Sequence, residues 1–471
     1  MSDVDRLDSI AVMQPRNHTQ SPAALQLIAR RRSLFWRIHY WAALIASPFA
    51  LVAVLTGIFY VFTPQIERAL YGSLDRVVSS GVPRSLDESV KAALAAAPAG
   101  STVLAVYPGY MVTDSVRVSI GVPADSNMDD HAQHLMNQPQ VVASKSARAD
   151  ARQTTFYINP YTATVLGALP DAQRFNIWAR KLHSSLLQGD GWRWMIELSA
   201  SWLLVMLFTG IYLWWPRGAQ RALPQANAKG RSAWQQWHGF AGVMLSAITL
   251  VMLATGITWS KYAGTQVRAF RDAIGQAPPA VPRDLQSTPS ATDSLSWQAA
   301  WEKARTVVPS VSLQLTPPVD ALGVWRASNA DRSQPTQKFD LVLDAYSGRT
   351  LYYAGWDKQT TFAQATAVGI PFHRGELGLW NQLLLLLFGI GVLFALISGW
   401  VMFFKRRHTQ PLGLPALLPG ALKSIPIVAW LIAIALLTSL PLLLISAVMV
   451  VAIELLLSRL KARQRSGIVS T

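Results

Sequence analysis

The chain of 471 residues contains no cysteine. That excludes disulfides, thiolate-held iron–sulfur clusters and haem attached covalently through C-x-x-C-H. Any metal or redox centre must draw on His, carboxylate, Met or Tyr ligands. Charge is also scarce: Asp, Glu, Lys and Arg make up 14% of the chain, well below the share in soluble domains. Acids are the rarer sign, 26 against 42 basic residues, which leaves a formal net charge of +16. Such an excess raises the question of nucleic acid. The basic residues, however, sit beside apolar runs, at Arg30–Arg31–Arg32, at Arg217 and Arg221, and at Lys405–Arg406–Arg407. That placement anchors loops at a membrane, and no nucleic-acid partner is expected. No glycine-rich dinucleotide fingerprint follows a strand-like segment, so no flavin or nicotinamide module is expected either.

What is abundant is apolar sequence, 51% of the chain, and it is clustered. Four runs stand out, Phe35–Phe62, Trp194–Trp215, Trp237–Trp259 and Asn381–Phe404. About 20 helical residues cross a bilayer core of roughly 30 Å. Tryptophans mark several run ends, as interfacial belts favour. The first run is longer than a signal-peptide core, and no small-residue cleavage site follows it closely, so it reads as an uncleaved anchor. Arginines flank the start of span one, the link between spans two and three, and the end of span four. The positive-inside rule then places the N-terminus in the cytoplasm, with the bilayer as the chain's first partner, and the two long stretches on the opposite side, the periplasm if the membrane is a bacterial inner membrane.

The expected division is a cytoplasmic tail (1–33), span one (34–62), an exported domain (63–182), an edge segment with span two (183–216), a cytoplasmic loop (217–233), span three (234–260), a second exported domain (261–372), an edge segment with span four (373–405), a loop (406–423), a C-terminal helical hairpin (424–458) and a tail (459–471). The hairpin is read from more than 30 apolar residues with basic residues at both ends and Ser439-Leu440-Pro441 in the middle, a turn or a kink. In the exported stretches, Ser85–Pro98 reads as a capped amphipathic helix, Val116–Ile120 as a strand, and Thr155–Leu166 and Phe339–Leu351 as strand–turn–strand units. The fold class is thus a membrane helical bundle bearing two small α+β domains.

The two halves repeat. Sixteen residues lie between His39 and Thr56-Gly57, and sixteen between His238 and Thr255-Gly256. The helix at 85–98 resembles 294–309, and 159–166 resembles 344–351. His183 and His373 fall just before spans two and four, which end in Thr209-Gly210 and Ser398-Gly399. Two such units in parallel imply a pseudo-two-fold axis along the membrane normal. Duplicated packing alone explains the glycines but not the imidazoles.

Four histidines thus occupy repeat-equivalent span edges, His39 and His238 at one depth, His183 and His373 at the other. Each pair is what a six-coordinate b-type haem needs. Taken singly, such residues are ordinary interfacial side chains. Four in register point to function. Two depths exclude a single ion bound by all four. Eighteen positions are five helical turns, so each His and the Gly of its own span share a face about 27 Å apart. Gly57 and Gly256 are expected to flank an outer macrocycle, and Gly210 and Gly399 an inner one. Arg37, Arg180, Lys181, Arg231 and Arg374 lie near these histidines, either for haem propionates or as interfacial anchors. Glu197 is the one acid inside the four core spans, at the membrane edge or on a haem or proton path. His131 and His134, beside Asp129 and Asp130, read as a solvated loop; His18 and His408 lie in polar tails. No catalytic residue is assigned.

The order His39…Thr56-Gly57, Leu182-His183…Gly189…Gly191, Thr209-Gly210-Ile-Tyr-Leu-Trp-Trp-Pro216, repeated by Trp237-His238-Gly239 and Pro371-Phe372-His373, resembles the PepSY-associated transmembrane proteins of bacteria. The resemblance covers about 30–407 and leaves the C-terminal hairpin outside. It implies PepSY-like exported domains. Through the family's ferric-siderophore reductases it also implies two bound haems, paired as His39/His238 and His183/His373. Electrons would pass from an external donor, a quinol or a cytoplasmic reductase, through the inner to the outer haem. The acceptor would be Fe(III) in a siderophore, which releases iron on reduction because Fe(II) holds hard oxygen ligands more weakly. Trp178, Trp192, Trp356, Arg180 and Arg374 would shape the acceptor site. The alternative is a non-enzymatic PepSY membrane protein that binds an envelope peptide or protein. A transporter is disfavoured by spans without interior charges or breaks.

Overall fold

A computed structural model describes residues 21–122, 152–215, 223–291, 293–407 and 414–468. His18, His131, His134, His408, Asp129, Asp130, Pro216, Arg217 and Arg221 lie outside the described residues. Helix α1 (Pro22–Val61) starts at an N-cap, Ser21, whose hydroxyl accepts from the Ala24 N–H, with Pro22 in the first turn where no donor is missed. Its 40 residues run to about 60 Å, twice a bilayer core, so the arginine-rich first turns project beyond the apolar part. Ala42, Ala46 and Ala50 are fully buried on its inner face. Small side chains there let the backbone of α5 (Trp194–Trp214) approach until the Ser199 hydroxyl donates to the Ala46 carbonyl at 3.3 Å.

Among the described residues four helices are long and apolar enough to cross a membrane, and five if one bent pair is a single span. That pair is span three. It consists of α6 (Gly230–Met244) and α7 (Ser246–Ile257), which meet at Leu245 with a bend of 57°. The apolar run passes through the break without a change in composition, so the straight helix expected over 234–260 is corrected. Its five-turn geometry holds for neither arm alone. Span four is α11 (Leu379–Arg407). The C-terminal run divides at Leu440 into α12 (Ile427–Ser439) and α13 (Pro441–Ile468). At 13 residues, α12 reaches only about 20 Å and is shorter than a full crossing.

The two expected α+β domains form one sheet. Its order is β4-β3-β2-β1-β5-β6-β7-β8. The first four strands are Thr102–Tyr107, Val116–Val122, Arg152–Ile158 and Val165–Pro170; the last four are Leu313–Thr316, Val324–Asn329, Asp340–Asp344 and Thr350–Ala354. Each set is an antiparallel meander, and β1 joins β5 at Val106↔Leu315. Alternation sends Val118, Ile120, Phe156, Leu315, Trp325 and Leu341 to one face, where they form a single core under α3 (Leu86–Ala96) and α9 (Trp297–Val307). The two helices cap each other. Asp87 accepts from the Trp297 N–H at 2.8 Å, and the Gln298 side chain accepts from the Leu86 N–H at 3.0 Å. Arg117, Gln153, Thr155 and Gln314 lie on the other face, toward the helical bundle. Two further helices carry the second histidine pair: α4 (Phe175–Ser185) and α10 (Thr361–Arg374).

Candidate functional site

Each of the four repeat histidines is gripped by the hydroxyl–glycine pair of another helix. His183 on α4 meets Thr56-Gly57 of α1, and His39 on α1 meets Thr209-Gly210 of α5. His373 on α10 meets Thr255-Gly256 of α7, and His238 on α6 meets Ser398-Gly399 of α11. The Nδ1–hydroxyl distances are 3.0, 3.0, 2.9 and 2.8 Å in that order.

The donor in these bonds follows from the helix. Each hydroxyl already donates backward to a carbonyl of its own helix: Thr56 to Val52, Thr209 to Val205, Thr255 to Val251 and Ser398 to Ala395. Each imidazole is also within hydrogen-bonding reach of a backbone carbonyl of that helix, of Ala53, Met206, Met252 and Ala395 respectively, and a carbonyl only accepts. Nδ1 therefore carries the proton in all four rings. The lone pair sits on Nε2, the tautomer required of a metal ligand whose other nitrogen is tied down.

The glycines act at the same contact. A Cβ at Gly57, Gly210 or Gly256 would stand 3.3 Å from the Cε1 of its histidine, and at Gly399 it would stand 3.7 Å away. The depth assignment is kept, with Gly57 and Gly256 at one end and Gly210 and Gly399 at the other. The expected role is corrected: these glycines make room for the imidazole edge itself. The hydroxyl residues before them had no role in the sequence reading. Their signal was present, since Thr or Ser precedes the glycine every time.

The histidines fall into two groups along the bundle. His39 and His238 stand with centroids 6.4 Å apart and planes at 89°. His183 and His373 are electrostatic neighbours at the other end. All four, with all four glycines, line one cavity of about 3990 Å³. Ligand pockets for small molecules are several times smaller. The cavity runs from Arg32, Trp36, Tyr40 and Arg231 at one end to the polar face of the sheet at the other.

The arginines divide. Arg374 lines the cavity, donating to the Tyr60 hydroxyl at 2.9 Å and pairing with Glu376 at 2.8 Å. Arg180, Lys181 and Arg231 line it too. Arg37 does not. Its guanidinium binds the Glu454 carboxylate of α13 and donates to the Pro415 carbonyl at 2.7 Å, so its expected cofactor role is corrected. Glu197 is also structural. Its carboxylate accepts from the N–H groups of Tyr262 and Ala263 at 2.9 and 2.7 Å, capping α8 (Ala263–Ala273) from another helix. Trp178 packs on Phe59 and Phe175, Trp192 packs on Trp194, and neither these nor Trp356 lines the cavity. Among the described residues no group of three or more His, Asp or Glu side chains forms a metal cluster.

No curated protein matches the chain. A family model described as the PepSY-associated TM region matches residues 36–406, which takes in the whole sheet and all four gripped histidines and stops before the C-terminal hairpin. The chain belongs to the PepSY-associated transmembrane family.

Proposed function

We propose that this protein is a di-haem electron carrier of the bacterial inner membrane that reduces ferric iron in a siderophore chelate at its sheet end. The observation that carries the reading is four imidazoles in two pairs along one cavity, each with Nδ1 fixed and Nε2 left as a donor. The His39–His238 spacing supports it. The two rings stand with centroids 6.4 Å apart, close enough that both could hold one metal ion. Bis-imidazole ligation through His39/His238 and through His183/His373 fits the donor set without any other side chain.

Bound haem supplies one-electron chemistry, tuned by its axial ligands and their hydrogen bonds. The residues do the rest. The hydroxyl and carbonyl acceptors hold each imidazole in one orientation. The glycines let the rings seat close to the helix backbones. The apolar helices keep water from the path between the pairs. The arginine-rich start of α1 belongs in the cytoplasm by the positive-inside rule, which puts the sheet in the periplasm. A quinol or a reductase would deliver electrons at the end near Trp36, Tyr40 and Arg231.

A visible spectrum of the purified protein decides the matter. We expect a Soret band, split α and β bands on reduction, and two haems per chain. His183→Ala or His373→Ala should remove about one haem and spare the other. A colourless protein would instead favour a non-enzymatic role in binding an envelope peptide or protein.

A further inference from the structure

The polar face of the sheet roofs the cavity, and its charge is unbalanced. Arg174 carries Glu67 and Asp75 as partners, Arg193 carries Asp190, and Arg374 carries Glu376. Three other cavity-lining guanidiniums, Arg117, Arg180 and Arg332, form no ion pair among the described residues. They come from different elements: Arg117 from β2, Arg180 from α4 three residues before His183, and Arg332 from the loop after β6. Arg117 lies over the Tyr107 ring at 5.0 Å. Arg180 stands within electrostatic reach of the Tyr60 phenol and of three other cations, Arg374, Arg193 and Arg332. Acids stand nearby without closing an ion pair to these three, Asp171 within electrostatic reach of Arg117 and Glu376 within reach of Arg332. Asp171 accepts from the Thr155 hydroxyl at 2.7 Å, and Asp331 accepts from the Ser333 N–H at 2.8 Å.

We infer that Arg117, Arg180 and Arg332 form the receiving site for an anionic, carboxylate-bearing ferric chelate, held between the sheet and the His183/His373 end of the bundle. Guanidiniums bind carboxylates through paired, charge-assisted hydrogen bonds. Placing unpaired cations together in a cavity has a cost that an anionic guest removes. An uncharged trishydroxamate complex gains nothing from them, so the site selects by charge. Gln153 and Gln314 on the same sheet face add neutral donors. This inference rests on the reductase reading for its iron, but its binding step can be tested apart from electron transfer.

The probe is gallium(III) citrate, a redox-inert stand-in for the ferric complex, titrated calorimetrically into the full chain in detergent. Wild type should bind it, and more weakly as salt is added. The Arg180→Gln/Arg332→Gln double variant should bind about tenfold or more weakly. Its haem content and reduced spectrum should match wild type, and an uncharged gallium trishydroxamate should show no difference between the two. The inference is overturned by equal citrate affinities, by wild type failing to bind, or by loss of haem in the variant, which would assign the arginines to the carboxylates of the macrocycle. A colourless wild type would sink the haem reading and leave the gallium titration to report on this site alone.

Discussion

A histidine that ligates through Nε2 needs its Nδ1 proton held elsewhere, and here a hydroxyl and a carbonyl on one helix share that task. Removing the hydroxyl keeps the carbonyl but loosens the ring. Thr209→Val should therefore weaken cofactor retention at His39 by about 10–100-fold, as loss of such supporting hydrogen bonds does in metal sites, and Thr56→Val should do the same at His183. Haem dissociation into apomyoglobin measures it; unchanged rates in both would refute the tautomer assignment. The glycines give a graded test that needs no cofactor. An alanine at 57, 210 or 256 meets the imidazole at 3.3 Å and forces it to give way, whereas at 399 the contact is an ordinary 3.7 Å. Thermal unfolding in detergent should show a loss of about 1–3 kcal/mol for the first three and little for Gly399→Ala. Equal losses at all four would mean that the glycines serve helix packing instead.

At the level of elements, much was readable and the exceptions share a cause. Periodicity and caps located α3, β2 and the strand–turn–strand units at 155–166 and 339–351, whose second strands run on to Pro170 and Ala354, because those signals are local. The β1–β5 junction was not readable. It joins strands some two hundred residues apart in sequence, and nothing in either strand names its partner. The break at Leu245 was hidden inside a uniformly apolar run. The histidine pairing was legible through the repeat, while Arg37 misled because its partner, Glu454, lies beyond the duplicated part. The turn after β7 shows what local sequence does encode. Asp344, nearly fully buried, accepts from the N–H groups of Ser347, Thr288 and Tyr346 and from the Ser347 hydroxyl. Burial alone would raise its pKa, but these four donors reverse that and hold the carboxyl at about 2, below the ordinary 3.8. A depressed folded pKa stabilises the protein above the unfolded value, and that stability is lost as pH falls through the folded one. The contribution, about 2 kcal/mol, should be intact at pH 5 and disappear between about pH 4 and pH 2. Unfolding of the full chain across that window should show the loss, and Asp344→Asn should flatten it. An identical slope in the variant would contradict the assignment.

At the level of the whole molecule, the duplicated core and the C-terminal hairpin meet through polar contacts inside the apolar bundle. The Glu454 carboxylate accepts from the Arg37 guanidinium and from the Trp41 indole N–H at 2.5 Å, while farther along α13 the Trp202 indole donates to Ser446 at 2.9 Å. Leu440 and Leu443 bury themselves beside Ala42, Ala46 and Trp202. The hairpin thus braces α1 and α5, the helices that carry His39 and its Thr209-Gly210 grip, and its α12 also packs against α8 of the second half. Removing one partner of a buried pair costs about 3–5 kcal/mol. Arg37 and Glu454 keep 19% and 25% of their side-chain surface accessible, so screening should reduce that to about 1–3 kcal/mol. Glu454→Ala leaves the guanidinium with the Pro415 carbonyl and should lower the unfolding temperature. Arg37→Leu/Glu454→Leu removes both charges together and should recover much of the loss, the difference being the coupling between them. Because Arg37 lies two residues before His39, Glu454→Ala should also shift the midpoint potential of the haem proposed at His39 and His238 and spare the one proposed at the sheet end. Equal shifts at both, or none in a variant that is clearly destabilised, would show that the hairpin supports the fold without reaching the electron path.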